Sequence, residues 1–394
     1  MKKDLKEKAI FIPADCIKIG NSRSFAIAMA LVNVYDIYWL KWKDSRDFEW
    51  ENKKLSVSDK VVIFLKNLFR GISIKETNGY HEINFPFLQD NFLRIFSSKV
   101  VSQIFSSWFN TISLKIIVSK INPKHIFYMD GFYYFRAVSN EKIKIWMDIQ
   151  DDHDFTELKQ LDRYLCRKYM QNQLKMSHKN YTVSNAAATN MSKEFSFPFF
   201  ELPNGAWFDS ILSVTQSEIN ETKKKLGIEK KIILTYIGGI VWYDENFVKK
   251  LMTALLPYEE YVLVAVGNLP IIELPNIINI GAIDNEKTYV YYRLTDIGLL
   301  LKDSTDSLFL KNSQPLKIIQ YSVAKKPVIT FPISWINENN FKNIFSVCNT
   351  DSSQWIKSIT ALKNFDWTYE MDKQWYNYDW NRIAMNYLVY NCKE

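Results

Sequence analysis

The chain has 394 residues, of which 47% are hydrophobic and 24% are charged. This length allows two domains of roughly 200 residues with a core each, and this composition excludes an intrinsically disordered chain. The net charge of +7 is unevenly distributed, since residues 1–200 contain about 30 Lys and Arg against about 21 acids, while the remainder is slightly acidic.

Short apolar runs alternate with helical patterns through the first half of the chain. Strands are predicted at residues 9–13, 35–40, 60–65, 125–129, 142–147 and 181–183. Helices are predicted at residues 24–32 and 185–195. Strands that are separated by helices indicate a parallel, doubly wound sheet.

A second α/β unit is predicted after the turn at residues 203–205. Its strands are predicted at residues 231–237, 261–266, 277–280, 296–301 and 327–331. Its helices are predicted at residues 217–226, 247–256 and 315–322. Residues 379–390 also have apolar side chains at helical spacing, and this helix could fold back on the first domain.

The strand at residues 231–237 ends in a glycine turn, Gly238-Gly239, which leads through Val241 to a helix start near Asp244. Glycine lets a phosphate group approach the backbone, and free N–H groups at a helix N-terminus attract its charge. The turn is therefore a candidate phosphate site, although a tight turn without a ligand gives the same pattern. The Gly-x-Gly-x-x-Gly pattern is absent, which argues against a nicotinamide-dependent dehydrogenase.

A second candidate is the helix that begins at Pro315. Lys317 in its first turn and Gln320 one turn later share a face, so Lys317 could hold a diphosphate. Asn312 and Ser313 come just before this helix and are assigned to the same predicted site. A solvated lysine on an amphipathic helix is the alternative.

The third candidate is an acidic stretch that follows the strand at residues 142–147. Asp148, Asp151 and Asp152 lie close together there, followed by His153 and Asp154. Crowded carboxylates raise one another's pKa, and Asp151 or Asp152 could act as a general base. Helix capping accounts for an aspartate equally well, and a metal site would need further oxygen ligands.

The cysteine pattern and the length of the apolar runs argue against several other classes of protein. The four cysteines show neither a Cys-x-x-Cys pair nor a histidine at ligand spacing, so neither a zinc site nor a disulfide framework is expected. The chain shows no signal-peptide pattern and no run of about 18 apolar residues, which predicts a cytoplasmic protein. No nucleic-acid recognition motif accompanies the basic charge, so a nucleic-acid partner is not predicted.

At these residues the chain resembles the GT-B glycosyltransferases that build bacterial surface polysaccharides. The resemblance covers roughly residues 142–332, and the first 140 residues match only in outline. It rests on the glycine turn, on Asn279-Ile280-Gly281, on residues 296–300 and 315–328, and upstream on residues 183–185 and 202–209.

The resemblance implies an α/β GT-B fold, with two Rossmann-like doubly wound domains facing a cleft. Residues 1–203 would bind the acceptor, residues 204–377 would bind the nucleotide-sugar donor, and residues 378–394 would form a helix that packs back on the first domain. The implied activity is hexosyl or glycuronosyl transfer from a nucleotide-sugar, most commonly a UDP-sugar, in capsule, exopolysaccharide or O-antigen synthesis. The nucleotide-sugar is a substrate, and neither a cofactor nor a metal ion is expected.

Within that group the chain is similar to the xanthan-pathway glucuronosyltransferase and to teichuronic-acid glycosyltransferases. They share an Asp-x-x-Asp-Asp at a strand end, here Asp148, Asp151 and Asp152, and a Lys-x-x-Gln on the donor helix. The resemblance implies that an aspartate of the N-terminal domain acts as catalytic base.

The same resemblance assigns the donor contacts. It implies that Lys317 meets the donor diphosphate, that Gln320 meets the ribose, and that Val241 with its glycine turn meets the nucleotide. Retaining GT-B enzymes have a glutamate where Gln320 stands and another about seven residues earlier, where this chain has Ser313. This difference favours inversion, for which one aspartate near the acceptor hydroxyl suffices.

The acceptor is expected to be a saccharide, carried in such pathways by a polyprenyl diphosphate at the inner face of the plasma membrane. The basic first half suits that surface. Residues 92–118 mix aromatic and aliphatic residues with Arg94, Lys99 and Lys115, as an interfacial helix or a buried amphipathic helix would. Two further functions stay open: a GT-B sugar-nucleotide epimerase, and a non-catalytic GT-B partner subunit.

Overall fold

A computed structural model of the chain describes residues 6–13, 23–41, 71–87, 99–129, 135–138, 141–150, 160–302 and 312–390. The chain divides into two units, Met1–Leu202 together with Ala384–Glu394, and Pro203–Ile383. The predicted strand at residues 60–65 lies outside the described residues, as do Asp151, Asp152, His153 and Asp154.

The first unit contains an eight-stranded sheet with the order β3-β4-β2-β1-β5-β6-β7-β8. Its strands are β1 Glu7–Pro13, β2 Tyr35–Lys41, β3 Ser73–Thr77, β4 Tyr80–Asn84, β5 His125–Met129, β6 Lys144–Asp148, β7 Lys179–Thr182 and β8 Phe199–Glu201. Its described helices are α1 Arg23–Ala30, α2 Lys99–Ile121, α3 Gln160–Leu174 and α4 Asn185–Phe195. All pairings are parallel except that of β3 with β4.

The β3–β4 hairpin is an addition that the strand predictions did not include. Asn78-Gly79 joins its two strands, and Gly79 has a positive φ of 86°. Asn-Gly is a frequent pair in hairpin turns, and glycine adopts this positive φ without a clash of Cβ. The hairpin gives the parallel sheet an antiparallel edge.

The central strands β1, β2, β5 and β6 are largely buried on both faces, as the strands of a parallel sheet usually are, whereas the edge strand β3 is exposed. Ile10 and Ile12 belong to one core, together with residues of α2, α3 and α4. Phe11 points to the opposite face. There it stacks between Trp39 and Phe127, with ring centroids 6.5 and 4.6 Å away.

The second unit contains a six-stranded, fully parallel sheet with the order β11-β10-β9-β12-β13-β14. Its strands are β9 Ile232–Ile237, β10 Tyr261–Val266, β11 Ile277–Gly281, β12 Ile297–Leu299, β13 Val328–Thr330 and β14 Ile344–Ser346. Its described helices are α5 Phe208–Leu212, α6 Gln216–Leu226, α7 Glu245–Ala254, α8 Asn285–Leu294, α9 Leu316–Val323, α10 Ser334–Asn339, α11 Ser352–Ala361, α12 Tyr369–Trp375 and α13 Trp380–Ile383.

Helices cover both faces of this sheet. Ile233 and Ile237 pack in one core and Leu234 and Tyr236 in the other, as the alternation of a strand requires. The chain continues from β9 to β10 on one side and later returns to β12 on the other, so the strand order reverses between β9 and β12. Ligands of open α/β sheets bind beyond the carboxyl ends of the strands at such a reversal.

The turn at residues 203–205 is held by the end of the same unit. Ala206 N donates a hydrogen bond to Tyr378 O over 2.9 Å, and Trp380 N donates one to Ala206 O over 3.2 Å. A Cβ on Gly205 would lie 2.7 Å from Ile383 Cδ1, so only glycine fits there. This packing explains the glycine without a ligand.

The C-terminal segment is a series of short helical pieces and not one long helix. A π-helical turn, Ala384–Val389, follows α13, and Ala384 onward belongs to the first unit. There the Tyr181 hydroxyl donates to Tyr387 O over 3.0 Å. Among the described residues, no helix combines the length and apolar character needed to cross a bilayer.

Candidate functional site

The glycine turn lies at the carboxyl end of β9, at the reversal of strand order. Gly238 has a φ of 143°, and its N–H donates to Val266 O over 2.8 Å. Gly267, just after β10, has a φ of 140°, and a Cβ there would lie 1.9 Å from Gly238 O. Both positions therefore require glycine, so neither residue places a side chain of its own at these two strand ends.

Lys317 lies directly against this backbone. Its Nζ is 2.7 Å from the position that a Cβ on Gly238 would take. The ammonium group donates to the Tyr236 hydroxyl over 2.9 Å and lies 4.2 Å from the centroid of the Tyr236 ring. The Tyr236 hydroxyl in turn donates to Gly239 O, so strand, turn and lysine form one hydrogen-bonded unit.

The surroundings of Lys317 disfavour its positive charge. The residue is only 8% exposed, and burial lowers its pKa to about 7. Its hydrogen-bond partner is neutral, because burial also raises the pKa of Tyr236. Within the described part of the chain, no carboxylate makes a salt bridge with Lys317. A buried ammonium without a carboxylate partner is well suited to bind an anion.

The N-terminus of α9, the helix that carries Lys317, is a second source of positive potential near the glycine turn. Pro315 occupies the N-cap of α9, and no side chain caps the helix. The N–H groups of an uncapped first turn carry partial positive charge and bind phosphate in many proteins. Lys317 and these N–H groups therefore provide positive potential at the same strand ends.

Gln320 lies one turn further along α9 and has a fixed orientation. Its Oε1 accepts a hydrogen bond from the Tyr292 hydroxyl over 2.6 Å. Tyr292 packs edge-to-face on Tyr321, whose hydroxyl donates to Thr235 O over 3.0 Å. With Oε1 directed at Tyr292, the amide nitrogen of Gln320 can donate a hydrogen bond to a ligand hydroxyl.

Asn312 and Ser313 are buried in the segment that leads into α9. The next residue, Gln314, accepts a hydrogen bond from Asn204 N, and Asn204 Nδ2 donates to Gln314 O over 2.6 Å. The Asn204 of the predicted turn therefore holds the segment that precedes Lys317.

Asp244 and Val241 follow the glycine turn. Asp244 Oδ1 accepts a hydrogen bond from Phe247 N over 3.0 Å and so caps α7. The backbone of Val241 lies in a short 3₁₀ turn, Ile240–Trp242, and its side chain is outside the described part of the structure. Asp244 has a structural contact that accounts for the aspartate without a ligand.

Asp148, the remaining predicted residue, ends β6 in the first unit. Both of its oxygens accept hydrogen bonds of 2.9 Å from Arg23, and each side chain is 2% exposed. Arg23 also donates to Leu202 O. The buried pair fixes the end of β6, three residues before Asp151. Within the described ranges, no cluster of three acidic, His or Cys side chains could hold a metal ion.

Comparison with solved structures gives the fold class. HepE of Anabaena in complex with UDP is 10% identical over 96% of this chain and 94% of that chain, with a TM-score of 0.56. The trehalose-6-phosphate synthase of E. coli bound with UDP-2-fluoro glucose is 9% identical over 96% and 97%, with a TM-score of 0.67. WaaG, a glycosyltransferase involved in lipopolysaccharide biosynthesis, is 11% identical over 97% and 96%, with a TM-score of 0.57.

No protein-family model and no curated protein matches the sequence. The similarity to these structures nevertheless extends over nearly the whole chain, and it agrees with the two parallel sheets. The chain has the GT-B fold, as the sequence predicts.

Two residues of the site were not assigned from the sequence. Tyr236 lies within the motif, but only the fold shows that it supports Lys317, which lies 81 positions further along the chain. Gly267 had a local signal, because a glycine directly follows the strand at residues 261–266. Gly267 is the residue whose backbone packs directly against the backbone of Gly238.

Proposed function

We propose that the protein is a glycosyltransferase that binds a nucleotide-sugar donor through the unit at residues 203–383. The observation that carries this proposal is the buried ammonium of Lys317 against the glycine turn at the end of β9. A diphosphate there would meet the ammonium, the glycine backbone and the first turn of α9 together. All three groups favour a negatively charged ligand.

The same groups also suit the chemistry of sugar transfer. As the bond between sugar and diphosphate breaks, negative charge builds up on the departing nucleoside diphosphate. A positioned cation and helix N–H groups stabilise charge that develops in the transition state, and they do so most strongly in a buried site. In this proposal Lys317 contributes to the rate as well as to donor affinity, and no divalent cation is needed.

The other donor contacts are proposed from the resemblance in sequence and from their places near the glycine turn and α9. Gly238, Gly239 and Val241 lie beside the nucleotide, and Gln320 donates from its amide nitrogen to a ribose hydroxyl. Asn312 and Ser313 line the donor site from the segment before α9, and Asp244 does so from the start of α7.

We propose an inverting reaction in which Asp151 or Asp152 takes the proton of the acceptor hydroxyl. Asp148 holds the strand end from which their segment leaves, through its pair with Arg23. The proposed donor nucleotide is UDP, because HepE and the trehalose-6-phosphate synthase are described as complexes with UDP or a UDP-sugar.

The proposed pathway is the synthesis of a bacterial capsule, exopolysaccharide or O-antigen. WaaG, of the same fold, is described as acting in lipopolysaccharide biosynthesis. The acceptor in this proposal is a saccharide on a polyprenyl diphosphate, and the enzyme works in the cytoplasm with peripheral contact to the inner membrane face.

A nucleotide panel tests the donor site. UDP, GDP, CMP, TDP and NAD are added separately to the purified protein, and its thermal midpoint is measured, because a ligand of the native state raises the midpoint. We expect a shift with UDP and none with NAD. No shift with any nucleoside diphosphate would contradict the proposal and favour a non-catalytic partner subunit. Conversion of a UDP-sugar without acceptor into its epimer would instead favour an epimerase.

The pKa of Lys317 predicts how donor binding depends on pH. In the free protein burial lowers that pKa to about 7, and a bound diphosphate raises it again because it favours the charged ammonium. Above pH 7 binding must therefore take up a proton. We expect the affinity for a UDP-sugar, measured by calorimetry, to fall by up to about tenfold per pH unit between pH 7 and 9. An affinity that is constant over this range would contradict a direct contact with Lys317.

A further inference from the structure

Helix α2 of the first unit presents an apolar stripe to solvent. Phe105, Trp108, Ile112 and Ile116 are spaced three or four residues apart, so they lie on one face of the helix. Their exposed fractions are 52, 51, 46 and 46%. Surface helices of water-soluble proteins usually turn this kind of stripe towards the core.

The opposite face of α2 shows the reverse pattern over its first three turns. Polar residues are buried there, namely Ser102, Ser106, Ser107, Asn110 and Thr111. Thr111 Oγ1 donates to Ser107 O over 2.6 Å and accepts from Arg136 N over 2.8 Å. The bond from Arg136 N ties this face of the helix to a neighbouring segment, so the apolar stripe cannot turn inward without breaking it.

The charged residues of α2 and of the turn that follows it are all basic. Lys115, Lys120 and Lys124 are exposed, and residues 99–124 contain no Asp or Glu. Lys120 lies one turn beyond Ile116 on the same face, and Lys115 is three residues beyond Ile112. A second copy of this chain would bring lysines close to lysines, whereas an anionic lipid surface complements them.

We infer that this stripe, Phe105, Trp108, Ile112 and Ile116 with Lys115 and Lys120 beside it, is a docking surface for an anionic phospholipid bilayer. The 23 residues of α2 form a rod about 34 Å long that lies flat in the interface. The aromatic and aliphatic side chains enter the boundary between headgroups and acyl chains, and the lysines meet the phosphates. This inference assigns a surface to the membrane contact of the proposed function, and it rests on that function for its purpose, access to a lipid-linked acceptor.

The test measures flotation of the full chain with vesicles of phosphatidylcholine and phosphatidylglycerol, or of phosphatidylcholine alone. We expect binding to the anionic vesicles and weaker binding to the neutral ones. Trp108→Glu should lower the affinity for anionic vesicles by about tenfold or more, because it removes a large apolar group and adds a like charge. Lys115→Glu with Lys120→Glu should abolish the preference for anionic lipid.

Ile271→Glu is the matched control, because Ile271 is an exposed apolar residue at 74% but lies in the second unit. It should bind vesicles like the unchanged protein. Circular dichroism and the thermal midpoint check that Trp108→Glu is folded. Equal vesicle binding by Trp108→Glu and the unchanged protein would overturn the inference, as would a protein that binds no anionic vesicles. A dimer that Trp108→Glu dissociates, without vesicle binding, would assign the stripe to self-association.

The vesicle-binding result can be distinguished from the nucleotide-binding result. The Lys317→Ala variant should bind the anionic vesicles as the unchanged protein does. The Trp108→Glu variant should still show a rise in thermal midpoint with UDP. Failure of nucleotide binding would therefore leave the docking result intact, and the reverse also holds.

Discussion

Lys317→Ala is expected to lower kcat/KM for sugar transfer by about 100-fold or more, since a positioned group that stabilises developing charge contributes on this scale. The ammonium lies against the Gly238 backbone with a neutral tyrosine as its hydrogen-bond partner, so no other side chain described there replaces its charge. Steady-state rates with a UDP-sugar and a saccharide acceptor measure the effect. The thermal shift with UDP should be lost as well.

Lys326→Ala is the matched control for this variant. Lys326 is also a lysine whose pKa burial lowers, but it lies just before β13, at the amino end of the sheet. Its removal should leave kcat/KM within about threefold, because ligands bind at the carboxyl ends of the strands. Equal losses in both variants would indicate a general effect of lost charge and would contradict the assignment of Lys317.

Arg23→Met is expected to destabilise the first unit by about 3–5 kcal/mol. The variant leaves Asp148 as a buried carboxylate without its guanidinium, and it also removes the donor to Leu202 O. Both side chains of the pair are only 2% exposed, so water cannot replace the lost contacts without rearrangement. The free energy of unfolding in urea, followed by circular dichroism, measures the loss.

The double variant Arg23→Met with Asp148→Leu separates the pair from simple packing. Replacing both charges by apolar groups should recover a large part of the lost stability, because the cost comes mainly from the uncompensated charge. A double variant that is less stable than Arg23→Met would show that the pair acts through packing alone. UDP should still shift the midpoint of both variants, since the proposed donor site lies in the other unit.

The fold class could be predicted from the sequence, and the glycine turn and Lys317 of the proposed donor site were singled out there as well. Apolar runs that are bounded by turns predict strands wherever both faces of a parallel sheet are buried, and β9 and β10 are of this type. The Gly238-Gly239 turn and Lys317 were identified from local patterns, because a strand end followed by glycine and a helix start is a local signal. The β3–β4 hairpin was missed although Asn78-Gly79 marks its turn.

Contacts between residues that are far apart in the chain could not be predicted from local sequence patterns. Tyr236 and Lys317 are far apart in the chain, and only the parallel sheet brings the end of β9 and the start of α9 together. The partner of Asp148 is 125 positions away, so no local pattern reveals that its carboxylate is held by Arg23. The face of α2 was likewise undetermined, because an apolar stripe has the same spacing whether it meets a core or solvent. The buried Ser107 and Thr111 settle that choice, and they direct Trp108 outward.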